Sequence, residues 1–372
     1  MNARVPAEVF PPGEFLREEL EARDWSQQEL AEIMGRPPRL ISELISGKRA
    51  VTPETAKGLA EAFGTSPDYW MSLESQYQLS KVKTEDGIVA RKAALYGRFP
   101  VREMIRRGWV QASESVEVLE ARFCEFFRIP DVSVQPGLVH SAKKTHAHLE
   151  ATPLQMAWLF RVRTLAEKQV VPAYSREKLA AAVEKLKTLL LAPEEARHAP
   201  RILAEAGVRL VFVEAMPGSK IDAATFWLDD GKPVIGMTFR FDRIDNFWFV
   251  LRHEIEHVLR EDGKADADVL IDSDLGSETD GIAECEALAN EAGADFCVPK
   301  GQLDDFVARV QPYFSEKKVL LFAQRINVHP GLVVGQLQRR LKRHDFLRKH
   351  QVKVRDCVLQ AADSDGWGSF SE

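Results

Sequence analysis

Residues 252–259, RHEIEHVL, set two histidines four positions apart with a glutamate directly after the first. They sit inside DNFWFVLRHEIEHVLREDG, whose first half is largely apolar. This stretch reads as a helix with Asp245 as its N-cap and Gly263 just past its end. In a helix, His253 and His257 lie one turn apart and point the same way, so both imidazoles can reach one ion about 2 Å from each nitrogen. Glu254 falls about 100° round the helix, beside the ligand axis but off it, where it can take a proton from a water that the ion activates. The alternative is a packed helix with two core histidines. A catalytic zinc site generally needs a third protein ligand, so the fold has to bring another donor to this face.

The best source is AECEALANEAGADFCVP, residues 283–299, which reads as a second helix. Glu286, Asn290 and Gly293 share one of its faces, with Ala289, Ala292 and Ala294 small enough for another helix to approach closely. Glu286 is therefore the candidate third ligand and Zn2+ the candidate cofactor. The acidic set Asp266, Asp268, Asp272, Asp274 and Asp280 reads as a solvated loop that can lend an outer carboxylate. Ahead of the motif, VRLVFVEAM and the pair ATFWL-DDGK-PVIGMTF predict a small sheet, with a hairpin at Asp230-Gly231.

The first eighty residues have a different character. Five short helices are predicted, each opened by a residue that satisfies free backbone N–H groups: GEFLREELEARDW, SQQELAEIMG, PPRLISELISGKR, TPETAKGLAEAFG and SPDYWMSLESQYQL. Ser26 and Glu29 stand at capping-box spacing. A tight turn joins the second and third segments, as in a helix-turn-helix. The chain carries a net charge of −6, which argues against a generally basic nucleic-acid binder, but local fields differ. In residues 36–57, Arg36, Arg39, Lys48, Arg49 and Lys57 face only Glu43 and Glu54, a local +3. Arg36, Arg39, Lys48 and Arg49 suit phosphates, and Arg39 and Ser42 suit base edges. The alternative is a small bundle with a solvated basic loop.

Between these regions, VREMIRRGWV, SVEVLEARFCEFFRI, LQMAWLFRVRTLAEKQV and SREKLAAAVEKLKTLL space apolar residues three or four apart, and prolines separate them. His140, His146 and His148 lack neighbouring carboxylates or cysteines at ligand spacing and read as a solvated loop. Residues 336–355 hold eight Lys or Arg against Asp345 alone, a local +7, read as a solvated face or a surface for DNA or an acidic partner. The four cysteines are scattered with no CxxC pair, no apolar run reaches membrane-span length, and no secretory leader is read, so a reducing cytoplasm is expected.

Two resemblances follow from these residues. Residues 11–80, through SQQELAEIMG, ISELISGKRAVTPETA and GTSPDYWMSL, resemble the HigA-type branch of the Xre helix-turn-helix family. That resemblance implies a dimeric operator-binding module, in some members an antitoxin. Residues 200–335 are similar to the ImmA/IrrE metallopeptidases, whose second motif runs E-x-x-A-N and ends at a proline, matched by Glu286, Ala289, Asn290 and Pro299. This implies a gluzincin-type zinc endopeptidase with His253, His257 and Glu286 as ligands, Glu254 as general base and a repressor as substrate. His329 reads as a structural residue at a helix start, with donation to the oxyanion, as by the distal histidine of other zinc peptidases, as the alternative.

The expected architecture is α+β and mainly helical. It comprises an N-terminal helix-turn-helix bundle over 1–80, a helical middle over 81–200, a gluzincin-like domain with a small sheet over 201–335, and a basic segment over 336–372. The expected partners are operator DNA, a repressor or toxin protein and a second copy of the chain, with no membrane. The competing expectation is an antitoxin and autorepressor whose peptidase-like domain binds a toxin or senses a ligand.

Overall fold

Ser26, Thr52 and Ser66 each accept a hydrogen bond from a backbone N–H three residues on and cap three helices of the first unit, whereas the other two, expected to be capped as well, open on proline with no side-chain cap. In the computed structural model, which describes residues 9–82, 87–137, 151–228, 231–264, 270–273 and 284–365, this unit spans Met1–Ile88. Its helices are α1 (Pro12–Ala22), α2 (Gln27–Ile33), α3 (Pro38–Ile45), α4 (Pro53–Phe63) and α5 (Pro67–Lys81), as expected. The capping box forms in both directions, between the Ser26 hydroxyl and Glu29 N–H and between Glu29 and Ser26 N–H. Leu16, Leu30, Ile41, Leu59 and Trp70 converge in the core. The Trp70 indole N–H donates to Thr65 Oγ1 at 2.9 Å, so this buried ring keeps its polar atom satisfied.

The second unit, Val89–Glu372, is built on a four-stranded sheet of β1 (Arg209–Phe212), β2 (Ile221–Leu228), β3 (Lys232–Met237) and β4 (Leu270–Ser273), in the order β1-β3-β2-β4. β2 and β3 form the expected antiparallel hairpin, with Leu228 opposite Lys232. β1 runs parallel to β3. β4, antiparallel to β2, has no counterpart in the expected set. Alternation along the strands sends side chains to two cores. Leu210, Phe212, Ala223, Ile235 and Met237 face one, and Val211, Val213, Ala224, Phe226 and Val234 the other. A sheet apolar on both faces has to be covered on both.

That requirement explains the helices of the middle region: α6 (Ile88–Arg98), α7 (Val101–Arg106), α8 (Val116–Phe127), α9 (Pro153–Ala166), α10 (Arg176–Lys187) and α11 (Ala199–Glu205). These helices belong to the same compact unit as the sheet. α9 lies on one face of the sheet, and the Trp158 indole N–H donates to Val213 O at 2.8 Å. A Cβ at Gly236 of β3 would stand 2.8 Å from both Trp158 and Val162, so only glycine permits this approach. On the opposite face lies α12 (Ile244–Arg260), flanked by α13 (Glu284–Cys297), α14 (Lys300–Val310), α15 (Glu316–Arg325) and α16 (Pro330–Leu341). The expected cap of α12 also needs correction. Arg243 is its N-cap, and Asp245 lies inside the first turn, accepting from Arg243 Nε at 3.0 Å.

Residues 336–365 belong to this unit too. Leu337, Gln338, Val354 and Val358 are buried, the last in α17 (Arg355–Leu359), and Phe212 N–H donates to Asp363 O, returning the chain to the edge of β1. Much of the basic stretch is answered by carboxylates of the same unit: Arg340 by Asp304, Lys349 by Glu316 and Arg355 by Glu214. The His140, His146 and His148 cluster and Asp266, Asp268, Asp274 and Asp280 lie outside the described residues. Among the described residues, no helix is long and apolar enough to cross a membrane.

Candidate functional sites

α12 is buried along most of its length by Phe247, Trp248, Leu251, Ile255 and Val258, each contributing on the order of 1.5–3 kcal/mol through burial. His253, Glu254 and His257 are carried into this interior at 0% exposure. Polar groups so placed need partners. α13 supplies one by lying directly against α12, where Gly293 is buried and a Cβ there would stand 2.8 Å from Phe249 O. Of the small residues expected to admit a close helix, Ala289 is fully buried while Ala292 and Ala294 are only partly so, and the tightest approach is at Gly293, which was expected on the ligand face.

This contact brings the three expected ligands together. His253 Nε2 lies 3.1 Å from His257 Nε2 and 3.3 Å from Glu286 Oε2, and His257 Nε2 lies 3.5 Å from Glu286 Oε1. In a tetrahedral zinc site with bonds of about 2.0–2.1 Å, neighbouring ligand atoms stand roughly 3.3 Å apart. Two imidazole nitrogens and a carboxylate are the donor types zinc prefers, and the three separations fit. Asp262 completes the arrangement: its Oδ2 is 3.0 Å from His257 Nδ1. A proton on Nδ1 shared with Asp262 leaves the Nε2 lone pair for an ion.

The electrostatics agree. Burial disfavours the charged form of His257, but the hydrogen bond and charge of Glu286 and the hydrogen bond to Asp262 outweigh burial and His253, so its pKa is raised. Burial also disfavours a charged Glu286, yet hydrogen bonds from His253 and His257, with their charge, hold its carboxyl far below the usual carboxylate range.

Glu254 points to another partner. Its Oε2 accepts a 2.6 Å hydrogen bond from the hydroxyl of Thr225, which is 1% exposed on β2. Thr225 alternates with Ala223 and Trp227 on the sheet face toward α12. Neither Thr225 nor Asp262 was anticipated from sequence. The available signals were a hydroxyl in an otherwise apolar strand and a carboxylate five residues beyond His257. His329, as expected, serves a helix start: it is the N-cap of α16, and its Nδ1 accepts from Gly331 N–H at 3.0 Å.

In the first unit, Ile41 and Leu44 bury one side of α3, leaving Arg39 and Ser42 exposed on the other. Arg36, Lys48 and Arg49 are exposed in the turns on either side of α3. Their charge is less available than the sequence count suggests. Glu43 accepts from Arg39 Nε at 2.8 Å and lies 3.5 Å from Arg49, and Arg36 pairs with Glu54. The hydrogen bond from Arg39 lowers the Glu43 pKa, outweighing slight burial, and the charges of Arg49 and Lys48 add to it. Phosphates meeting these arginines compete with carboxylates already in place.

Comparison with known proteins identifies this first unit. The helix-turn-helix family HTH_3 matches residues 16–70. The HTH-type transcriptional regulator YddM of Escherichia coli is 37% identical over 76 residues, 20% of this chain and 81% of that protein. Virulence-associated protein A' of Dichelobacter nodosus is 32% identical over 72 residues, 19% of this chain and 63% of its own length. A solved addiction-module antidote protein of a HigA family from Coxiella burnetii is 28% identical. It covers 24% of this chain and 94% of that one, at a TM-score of 0.19 that carries no argument about architecture. Through the sequence matches of its first unit, the chain belongs to the helix-turn-helix family of transcriptional regulators.

Proposed function

We propose that this helix-turn-helix regulator carries a zinc-dependent endopeptidase of ImmA/IrrE type in its second unit. The substrate is a repressor, another regulatory partner or this chain itself. The observation that carries the proposal is the convergence of His253 Nε2, His257 Nε2 and the Glu286 carboxylate at separations suited to one tetrahedral ion. In this reading these three residues hold Zn2+, and the ion supplies Lewis acidity toward water and a peptide carbonyl. Glu254 acts as the general base. With Oε2 engaged by Thr225, the proton from the attacking water goes to Oε1 and passes from there to the leaving amine. Thr225 fixes the plane of that carboxylate, and Asp262 fixes the His257 ring. The first unit brings the chain to operator DNA as a homodimer, with Arg39 and Ser42 of α3 toward base edges and Arg36, Lys48 and Arg49 toward phosphates.

The test is incubation of the purified chain with repressors encoded beside its gene, with and without a chelator. Wild-type protein is expected to yield one specific fragment that the chelator suppresses. Glu254→Gln is expected to keep its zinc and lose cleavage by about 10²–10⁴-fold, and a variant that cleaves normally would remove Glu254 from the role.

A second reading is favoured by the solved relative described as an addiction-module antidote of a HigA family. Here the chain is an antitoxin and autorepressor, and the second unit binds a toxin or senses a ligand without turnover. Stoichiometric co-purification of a small neighbouring gene product, with no chelator-sensitive fragment, would select it.

A further inference from the structure

The end of α12, with His257 on its last turn, is held from outside the helix by a pair of aromatic side chains. We propose, on the reading that His253, His257 and Glu286 hold zinc, that Trp227 of β2 is a positioning residue for the site, acting on the ion only through Asp262 and the His257 ring.

Three observations carry it. First, α12 ends in a turn that has to be held. Glu261 takes the left-handed conformation at φ 59°, where glycine is the usual occupant. The turn closes with the paired bonds of a Schellman motif, Glu261 N–H donating to Val258 O at 3.1 Å and Asp262 N–H to His257 O at 3.0 Å. This reversal brings Asp262 Oδ2 back to 3.0 Å from His257 Nδ1. The orientation of a ligand ring therefore depends on a backbone conformation that its surroundings must enforce. Second, Trp227 pins that turn. Its side chain is 6% exposed, and the indole N–H donates to Asp262 O at 2.9 Å. Tyr174 packs edge-on against the same ring, with centroids 5.4 Å apart at 81°, and its hydroxyl donates to Val258 O at 3.1 Å. The pair thus holds one carbonyl on each side of Glu261. Third, Trp227 stands two residues after Thr225 on β2, so both side chains leave the same face of the sheet. Thr225 holds Glu254 Oε2 at 2.6 Å, and Trp227 holds the residue that orients His257. One strand face sets both the candidate base and a candidate ligand.

A tryptophan that merely fills the core has no need of its N–H, and one that only satisfies a helix end has no route to the ion. Trp227 differs because the carbonyl it holds belongs to Asp262, whose carboxylate meets the His257 ring. Outer groups of this kind fix the rotation of a ligand imidazole and tune its metal affinity. Lys264 lays the exposed side of the turn over the same ring, its Nζ paired with Glu261 Oε1 at 2.9 Å and 5.0 Å from the Trp227 centroid.

The test measures the zinc dissociation constant of the full chain by competition with a chromogenic chelator, for the wild type, Trp227→Phe, Asp262→Ala and the double variant. Asp262→Ala removes the orienting carboxylate itself and is expected to weaken zinc binding about tenfold to a hundredfold. Trp227→Phe keeps an aromatic ring but removes the N–H, and is expected to weaken it about threefold to tenfold with an unchanged circular dichroism spectrum. In the double variant the two losses are expected not to multiply, because without the carboxylate Trp227 has nothing left to position. Tyr174→Phe removes only a hydroxyl and is expected to weaken zinc binding about twofold to fivefold, which keeps the idea testable even if Trp227→Phe fails to fold. Zinc bound by either folded variant as tightly as by the wild type overturns the proposal, as do losses that multiply in the double variant. A wild type that binds no zinc refutes instead the zinc reading on which the role of Trp227 depends.

Discussion

The two units of this chain encode their structure over very different distances. In Met1–Ile88 the helix starts are written locally: three are capped by a residue three positions back, as with Ser26 and Glu29, Thr52 and Thr55, and Ser66 and Tyr69, and two open on proline. In Val89–Glu372 the decisive pairings join residues far apart in sequence: Trp158 with Val213, Thr225 with Glu254, His253 with Glu286 and Phe212 with Asp363. Local capping yields a module that a family pattern detects readily, and matches to known regulators reach this region. A site assembled from distant elements leaves only sparse marks in sequence, and here those are the two histidines one turn apart and the glutamate in register on the next helix.

The comparison can be broken or sharpened by substitution. The largest expected effect after loss of Glu254 is at Thr225. Thr225→Val keeps the shape but removes the hydroxyl that holds Glu254 Oε2, and is expected to lower the rate of fragment formation about tenfold to a hundredfold while zinc content is unchanged. A normal rate would show that Glu254 needs no such tether. Next comes Gly293→Ala, whose Cβ would meet Phe249 O at 2.8 Å. Pushing α13 away from α12 is expected to cost about 1–3 kcal/mol in the denaturant unfolding of the second unit, leaving DNA affinity intact. The smallest is Ser26→Ala, expected to cost about 1 kcal/mol in the first unit only. If it lowered the stability of both units equally, the contrast between them would fail.

Much of the fold was legible, for reasons that individual residues make clear. Three helices of the first unit carry their caps with them and the other two open on proline, and on α12 the two candidate histidine ligands stand at helical spacing. The hairpin of β2 and β3 shows its alternation. What stayed hidden depends on partners rather than on local pattern. β4 is too short and mixed to declare itself, and whether α9 stands alone or covers a sheet is decided by the apolar second face of that sheet. The basic stretch over 336–355 reads as an exposed charge run until Asp304, Glu316 and Glu214 are seen to answer Arg340, Lys349 and Arg355. The same holds in the first unit, where the net charge of residues 36–57 does not reveal that Glu43 pairs with both Arg39 and Arg49. At the candidate site the pairing of His253 with His257 was legible because one helix sets their spacing, whereas the places of Thr225 and Asp262 are set by packing.

The central claim is that His253, His257 and Glu286 form a zinc site, and metal analysis of the purified full chain tests it most directly. The account predicts about one zinc per chain, retained in Glu254→Gln and lost in His257→Ala. Zinc absent from the wild type after growth with the metal supplied, or retained undiminished by His257→Ala, would contradict it.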